Sequence, residues 1–257
     1  MALRTESVFT SQRLRQGRHV IPSLLELLGM DVPYWNDDFM GDQMRYDATA
    51  PGTYQSTASG AAAATADLVA GSVGGKIRLD AGTDVDGRSD LSLGLHFRGD
   101  RNVHCWFAFT TPAAITSWKF ELGLTDVVSG TDAGAIATKA TPTANATDAV
   151  ILVRDTTDDT NLTLIGVKNG TVDTAVDFST ALVAATDYYV GIELRDDQAR
   201  AYLLDADARL IEQTAWIDDA VTATVLLTPW AFCQTRSTSN RVLDIDLLRV
   251  YQRRSAA

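Results

Sequence analysis

Short apolar runs recur along the chain from about residue 37 onward, and clusters of Gly, Asp, Asn, Thr and Pro separate them. Residues 75–80 alternate, with Ile77 and Leu79 on one face and basic side chains on the other, which is the pattern of a half-buried strand. Residues 103–109 are apolar on both faces except at one position, which predicts a central strand covered on both sides. The whole pattern predicts an all-β sandwich or barrel of about nine to twelve strands, with almost no helix beyond that point.

Turn signals and one irregular run add detail to this pattern. Asn169-Gly170 lies between two apolar runs, where an Asn-Gly pair is a strong signal for a hairpin turn. The apolar runs 188–194 and 201–204 flank a polar segment and predict a second hairpin. In the last run, 242–251, the inward-facing phase changes after Leu247, which predicts a β-bulge.

Residues 1–36 differ from the rest of the chain, and we interpret them as an extended N-terminal arm. Within the arm, residues 21–29 predict one short helix, with Ser23 as its N-cap and Gly29 as its stop. Leucines cover too much of its circumference for a solvated helix, so they should pack on the sandwich or on a neighbouring subunit. These leucines are Leu24, Leu25, Leu27 and Leu28. The sandwich domain would then span residues 37–254, and residues 255–257 would form a tail.

Charge is distributed unevenly between the arm and the body. The formal net charge is −11, yet residues 1–20 carry +3, which leaves −14 for the remainder. The arginines of this basic segment are Arg4, Arg13, Arg15 and Arg18. An acidic body repels phosphate backbones and anionic lipid, so we expect no nucleic-acid partner and no membrane partner. The contrast suggests a docking role for the arm, the alternative being a solvated basic tail.

Metal-binding and redox-active residue types form no recognised motif. Cys105 and Cys233 lie in apolar β-like runs and are interpreted as buried free thiols, although a disulfide stays open if their strands are neighbours. The loop 80–90 holds four aspartates, as calcium loops do, but it lacks the closing Glu of an EF-hand. Neither a zinc spacing nor a phosphate-binding loop occurs, so we expect no metal and no cofactor.

Glycosidase chemistry would need two carboxylates that face each other across a sugar. β-Sandwich glycosidases of the laminarinase type carry a Glu-x-Asp-x-x-Glu strand, whereas residues 243–248 hold Asp244 and Asp246 and neither glutamate. The chain also lacks a Gly-x-Ser-x-Gly nucleophile motif. We therefore expect a protein that is not an enzyme.

Five tryptophans could form a platform on which sugar rings stack. Trp106, Trp118, Trp216 and Trp230 lie in strand-like or apolar contexts, so most of them are expected in the core. Trp35 is the tryptophan expected at an interface. It joins the arginines and leucines of the arm as a predicted assembly contact.

The order of several segments resembles concanavalin A-like (laminin G-like) jelly-roll proteins encoded among the structural genes of tailed bacteriophages. The segments are 36–41, 74–79, 91–97, 119–126, 132–135, 139–142, 227–232 and 243–252. The resemblance covers about residues 37–254. It implies a concanavalin A-like jelly-roll β-sandwich that acts as a virion structural protein, with capsid decoration as the first hypothesis.

Several expectations about partners follow from this resemblance. The arm would grip the major capsid protein or another virion protein, and the sandwich would self-associate, with a trimer as the expected homo-oligomer. The segment Met1–Phe9 has no signal-peptide pattern, so we expect synthesis in the host cytoplasm and a place on the capsid or tail surface. The alternative is a carbohydrate-binding module of a tail or head fibre that contacts a host glycan. A glycosidase is the third hypothesis.

Overall fold

The regular secondary structure in the described part of the chain consists almost entirely of antiparallel strands, apart from one 3-10 turn at Gly99–Arg101. A computed structural model describes residues 34–39, 54, 56, 58–59, 64–72, 75–128 and 134–253. The strands are β1 Tyr34–Asp37, β2 Ala58–Ser59, β3 Thr65–Leu68, β4 Ile77–Asp80, β5 Arg88–Ser92, β6 Val103–Thr110, β7 Trp118–Thr125, β8 Ile136–Thr138, β9 Thr143–Ala144, β10 Ala149–Asp155, β11 Thr163–Lys168, β12 Thr171–Asp177, β13 Asp187–Arg195, β14 Gln198–Leu204, β15 Leu210–Gln213, β16 Thr228–Thr235 and β17 Val242–Tyr251. The predicted helix at 21–29, the arm arginines and leucines, and the tail 255–257 lie outside the described residues.

Two large antiparallel sheets form the sandwich. Sheet I has the order β15-β14-β13-β6-β17-β4-β3, and β1 also pairs with β17. Sheet II has the order β12-β11-β10-β7-β16-β5-β2. Strand β1 straddles the predicted boundary between arm and sandwich, because its residues 34–37 pair with Leu248–Tyr251 of the last strand. Residues 34–37 therefore belong to sheet I.

The main core lies between the two sheets and is built from every second residue of their strands. In β7 the inward residues are Trp118, Phe120 and Leu122, as the alternation of residues 117–122 predicts. The two cysteines belong to this core and are buried free thiols, which confirms that interpretation.

The central strand β6 differs from its prediction on one face. Its inward residues Val103, Cys105, Phe107 and Phe109 are buried in the core, and β6 pairs with β13 on one side and β17 on the other. On the opposite face His104 and Trp106 are only half-buried, so the prediction of coverage on both sides is wrong. The reason is that no further layer of strands covers sheet I over these residues, within the part of the chain that the structure describes.

Local irregularities appear where the sequence indicates them. The register of β17 against β6 shifts between Ile245 and Leu247, which confirms the bulge. The shift comes one residue earlier than the apolar pattern indicates, because Leu247 lies opposite Ala108 on the outer face and is not an inward residue. The β11–β12 hairpin turns through Asn169-Gly170 with φ of 52° and 74°, the doubly positive conformation that an Asn-Gly hairpin turn requires.

A second, smaller core lies on the outer face of sheet II. The segment that carries the β8–β9 hairpin covers this face, and Ala135 and Ile136 pack there against Trp230 and Phe232. The covered face also contains Lys119 and Glu121, which alternation places outward but which are only 1% and 0% exposed. The covering segment explains why these charged side chains are buried on the outside of a sheet.

Candidate functional site

Partly exposed aromatic side chains gather on the outer face of sheet I. Strand alternation and antiparallel register bring them together, since His104, Trp106 and Ala108 of β6 lie opposite Glu193, Gly191 and Tyr189 of β13. We call this surface the aromatic face. Its half-buried members are His104, Trp106, Tyr189, Tyr202, Trp216 and Tyr251.

Arginine and aromatic side chains alternate across the aromatic face. The rings of Trp106 and Tyr202 stack with centroids 5.7 Å apart and planes 21° apart. The Arg200 guanidinium lies 5.0 Å from the Tyr202 ring and 4.6 Å from the Trp216 ring. Arg195 approaches Trp216 at 5.0 Å. Such cation–π contacts hold planar groups in fixed positions, so the ladder keeps the aromatic rings ordered.

A glycine makes room for the central ring of the ladder. Gly191 is the register partner of Trp106, and a Cβ built on it would lie 2.4 Å from the Trp106 ring. That distance is well inside van der Waals contact. The six-membered ring of Trp106 can therefore cover β13 only because residue 191 has no side chain.

Glu193 anchors the basic side of the aromatic face. Its carboxylate, 4% exposed, accepts hydrogen bonds from Tyr202 Oη at 2.6 Å, from Arg200 Nε at 2.8 Å, and from Arg195. Burial by itself raises the pKa of Glu193, but the hydrogen bonds outweigh it and hold that pKa below its usual range. The carboxylate is therefore ionised at neutral pH and already has several hydrogen-bond donors.

His104 and Tyr251 form a second aromatic pair on this face. Their rings stack with centroids 4.6 Å apart and planes 10° apart. Burial lowers the pKa of His104 to about 4, although the nearby Glu193 opposes that shift. His104 is thus a neutral ring at pH 7, and it adds an aromatic surface without a charge.

One polar atom of the aromatic face has no partner within the described residues. Trp106 Nε1 is inaccessible to solvent and donates no hydrogen bond. An unsatisfied buried donor costs about 1–3 kcal/mol, so such atoms in folded proteins need an explanation. Because the atom has no exposed surface, a ligand on the outside of the sheet does not reach it in this conformation.

Of the assembly contacts predicted from the sequence, the structure describes Trp35 alone. Trp35 lies in β1, where its backbone pairs with Val250, while the arm arginines and leucines are outside the described residues. The expectation that most tryptophans are core is wrong for Trp106 and Trp216, which are half-buried on the aromatic face. Trp118 and Trp230 are fully buried, as expected. Alternation around the inward Cys105 could have indicated that Trp106 points outward. No sequence signal indicates that Trp216 lies on the same face as Trp106.

The aspartates considered above as calcium or glycosidase residues have separate structural partners. Asp244 accepts two hydrogen bonds of 2.7 Å from the Arg78 guanidinium. Asp86, in the aspartate-rich loop, binds Arg236 at 3.0 Å, and Asp80 caps the backbone of Gly82 at 2.8 Å. Among the described residues, no group of three or more His, Cys, Asp and Glu side chains is placed to hold a metal ion. That part of the chain also contains no helix long and apolar enough to cross a membrane.

Comparison with known proteins gives structural matches and no sequence family. No family model matches the chain, and no curated protein matches it either. Among solved structures, a protein of unknown function from Shewanella oneidensis MR-1 is similar over 92% of this chain and 95% of its own, with a TM-score of 0.60 and 15% identity. The β-glucanase of Bacillus licheniformis is similar over 86% of this chain and 98% of its own, with a TM-score of 0.54 and 11% identity.

A third similar structure comes from a bacteriophage. The CBM2 module of the evolved Dit protein of Lactobacillus casei BL23 phage J-1 matches 89% of this chain and 99% of its own, with a TM-score of 0.52 and 12% identity. At these identities the matches show the fold alone. They confirm the predicted fold class, a concanavalin A-like jelly-roll β-sandwich.

Proposed function

We propose that this chain is a non-catalytic carbohydrate-binding domain and that the aromatic face is its binding surface. The observation that carries the proposal is the ladder of Trp106, Tyr202, Arg200 and Trp216 on a solvent-facing sheet. Aromatic rings fixed in this way present flat apolar surfaces, and their neighbours present polar groups. Sugars offer the complementary surface, with C–H groups on the faces of the ring and hydroxyl groups around its edge.

The comparisons support a carbohydrate ligand for this fold. Two of the similar structures, a β-glucanase and a CBM2 module, carry names that refer to carbohydrates. Because one fold can host several functions, the proposal depends on the aromatic face and not on those names.

The chemistry of the acidic groups favours binding over hydrolysis. A glycosidase needs one carboxylic acid with a raised pKa and a second carboxylate across the sugar. Glu193 is instead held ionised by Arg200, Arg195 and Tyr202, whose hydrogen bonds keep its pKa below the usual range. A carboxylate paired in this way does not donate a proton at neutral pH.

A binding assay on the full chain tests the proposal. A polysaccharide panel would be screened by affinity electrophoresis, and Kd values would be measured by calorimetry for every polymer that binds. Trp106→Ala should weaken binding by at least about tenfold, because a tryptophan at the centre of an interface is a frequent hot spot. Leu226→Ala, at an exposed apolar position away from the aromatic face, is the matched control and should bind like the parent. Equal binding by Trp106→Ala and the parent would contradict the assignment of the site.

We also propose that the domain acts on a bacteriophage particle, where it contacts a host glycan from a tail or head fibre. The similarity to a module of a phage protein supports this placement. The second candidate is a capsid decoration protein that binds the shell through residues 1–36. Deletion of residues 1–30 separates the two: decoration requires the arm for incorporation into particles, whereas glycan binding by the isolated protein should survive the deletion.

A further inference from the structure

We infer that the ligand of the aromatic face is an acidic polysaccharide whose sugars carry carboxylate groups, as uronic acids do. This inference rests on the proposed carbohydrate-binding function and adds the chemical class of the ligand. It follows from the charge of the face, from its balance of hydrogen-bond donors and acceptors, and from the exposure of one guanidinium group.

The charge of the aromatic face is opposite to that of the whole protein. The formal net charge of the chain is −11. On the face, Arg195 and Arg200 flank Trp216, while Glu193 is the acid bound between them. Two arginines against one glutamate leave a positive surplus. A positive surface attracts anionic ligands.

Two nearby aspartates, Asp197 and Asp187, do not cancel this surplus, since their carboxylates have partners outside the face. Asp197, in the turn after Arg195, lies 3.3 Å from Lys168 Nζ. Asp187, at the other end of β13, accepts a hydrogen bond from Thr110 and lies 3.8 Å from Lys76. The exposed Asp196 beside Asp197 is the acid closest in sequence to the arginines, and it sits in the turn rather than on the strand face.

Hydrogen-bonding capacity on the aromatic face is weighted toward donors. The Glu193 carboxylate already accepts from Tyr202, Arg200 and Arg195, so little capacity remains for a sugar hydroxyl. The Arg195 guanidinium is an exposed donor, with 53% of its side chain accessible to solvent. A sugar hydroxyl both donates and accepts, whereas a carboxylate only accepts. A donor-rich surface therefore matches a ligand that supplies acceptors.

Arg195 is the residue placed to bind a ligand carboxylate. Its side chain is 53% exposed, while its contacts with Glu193 and the Trp216 ring fix its position. A guanidinium fork binds a planar carboxylate through two parallel hydrogen bonds, and a pre-ordered guanidinium loses less entropy when it does so. Arg200, held between two rings, is more enclosed and serves mainly to position the ladder.

Native and carboxyl-reduced forms of the same polymers test the inference. Alginate, polygalacturonate and hyaluronan would each be measured before and after reduction of the carboxylates to alcohols, which removes the charge and keeps the sugar backbone. At least one native polymer should bind, and its reduced form should bind at least about tenfold more weakly. Binding of the native form should also weaken as salt is raised from about 50 to about 500 mM, because salt screens exposed charges.

Two variants assign the effect to the aromatic face and exclude general attraction to the basic arm, which all variants retain. Arg195→Gln should weaken binding of the native polymer about tenfold, which is a larger factor than the one by which it weakens binding of any reduced polymer, because Arg195 also supports the ladder. Arg209→Gln removes the same charge from an exposed side chain in the β14–β15 turn and should leave both affinities unchanged. Trp106→Ala keeps every charge and should still lose binding.

The outcomes separate this inference from the proposed function. If native and reduced polymers bind equally and Trp106→Ala abolishes both, the carbohydrate site stands and the acidic ligand is wrong. The acidic ligand is also wrong if only neutral polymers bind, or if Arg209→Gln and Arg195→Gln weaken binding equally. If no polymer binds, the proposed function and this inference both fail.

Discussion

The indole of Trp106 lies over Gly191, its register partner on the neighbouring strand, at a distance that leaves no room for a Cβ. This pair sets the position of the central ring in the aromatic ladder, because Tyr202 stacks on the same indole. The position of the Trp106 ring thus depends on the absence of a side chain at Gly191 of the neighbouring strand.

Gly191→Ala should displace the Trp106 ring and weaken polysaccharide binding about as much as Trp106→Ala does. Overpacking of this kind costs about 1–3 kcal/mol of the free energy of unfolding, which chemical denaturation can measure. The double variant Gly191→Ala/Trp106→Ala removes the clash and should recover most of the free energy of unfolding that Gly191→Ala loses. If the two stability losses simply add, the steric explanation is incorrect.

Lys119 and Glu121 form a buried ion pair with 3.0 Å between Nζ and Oε1. Removal of one partner should lower the free energy of unfolding. Glu121 also accepts hydrogen bonds from Ala135 N at 2.7 Å and Trp230 Nε1 at 2.9 Å, so it attaches the covering segment to sheet II. Lys119→Met leaves this buried carboxylate without its cation and should cost about 3–5 kcal/mol in the free energy of unfolding.

Lys76→Met is the control for that substitution. Lys76 lies 3.8 Å from Asp187, whose side chain is 60% exposed, and a pair of this kind contributes at most about 1 kcal/mol. If urea unfolding shows that Lys119→Met and Lys76→Met lose the same free energy of unfolding, burial of the ion pair does not determine the cost.

Stability should fall as pH is lowered from about 6.5 toward 4, and His104 should account for part of the fall. Its pKa is about 4 in the folded protein, below the ordinary value of 6.5, so the unfolded chain binds the proton first in this interval. Well below both pKa values, that difference would amount to about 3 kcal/mol. The free energy of unfolding at pH 4.5 and pH 7 should therefore differ less in His104→Gln than in the parent protein. Identical differences in both proteins would show that His104 titrates normally.

The β11–β12 turn gives a prediction about backbone conformation. Asn169 adopts a φ of 52°, which glycine tolerates and a β-branched residue does not. Asn169→Val should lower the free energy of unfolding by about 1–2 kcal/mol, whereas Asn169→Gly should stay within about 0.5 kcal/mol of the parent. Thermal unfolding monitored by circular dichroism would compare the two, and a valine variant as stable as the glycine variant would argue against this turn conformation.

The sequence by itself determined the class of fold and many of its strands, although it indicated about nine to twelve strands where the described residues form seventeen. Alternation identified the inward residues of β4 and β7, the Asn-Gly pair located a hairpin, and a change of phase located the bulge of β17. These features depend on residues close together along the chain, so their side-chain periods and turn preferences are visible without the structure. The arm and its contacts lie outside the described residues and stay predictions.

Only the tertiary structure decided which surface is chemically distinctive. Trp106 and Trp216 have the same apolar sequence context as the buried Trp118 and Trp230, and their exposure depends on which sheet faces are covered. Lys119 and Glu121 show the converse, since an alternating strand indicates a polar outer face and a later segment of the chain buries it. Burial is decided by elements distant in sequence that pack together, and alternation within one strand carries no record of that packing.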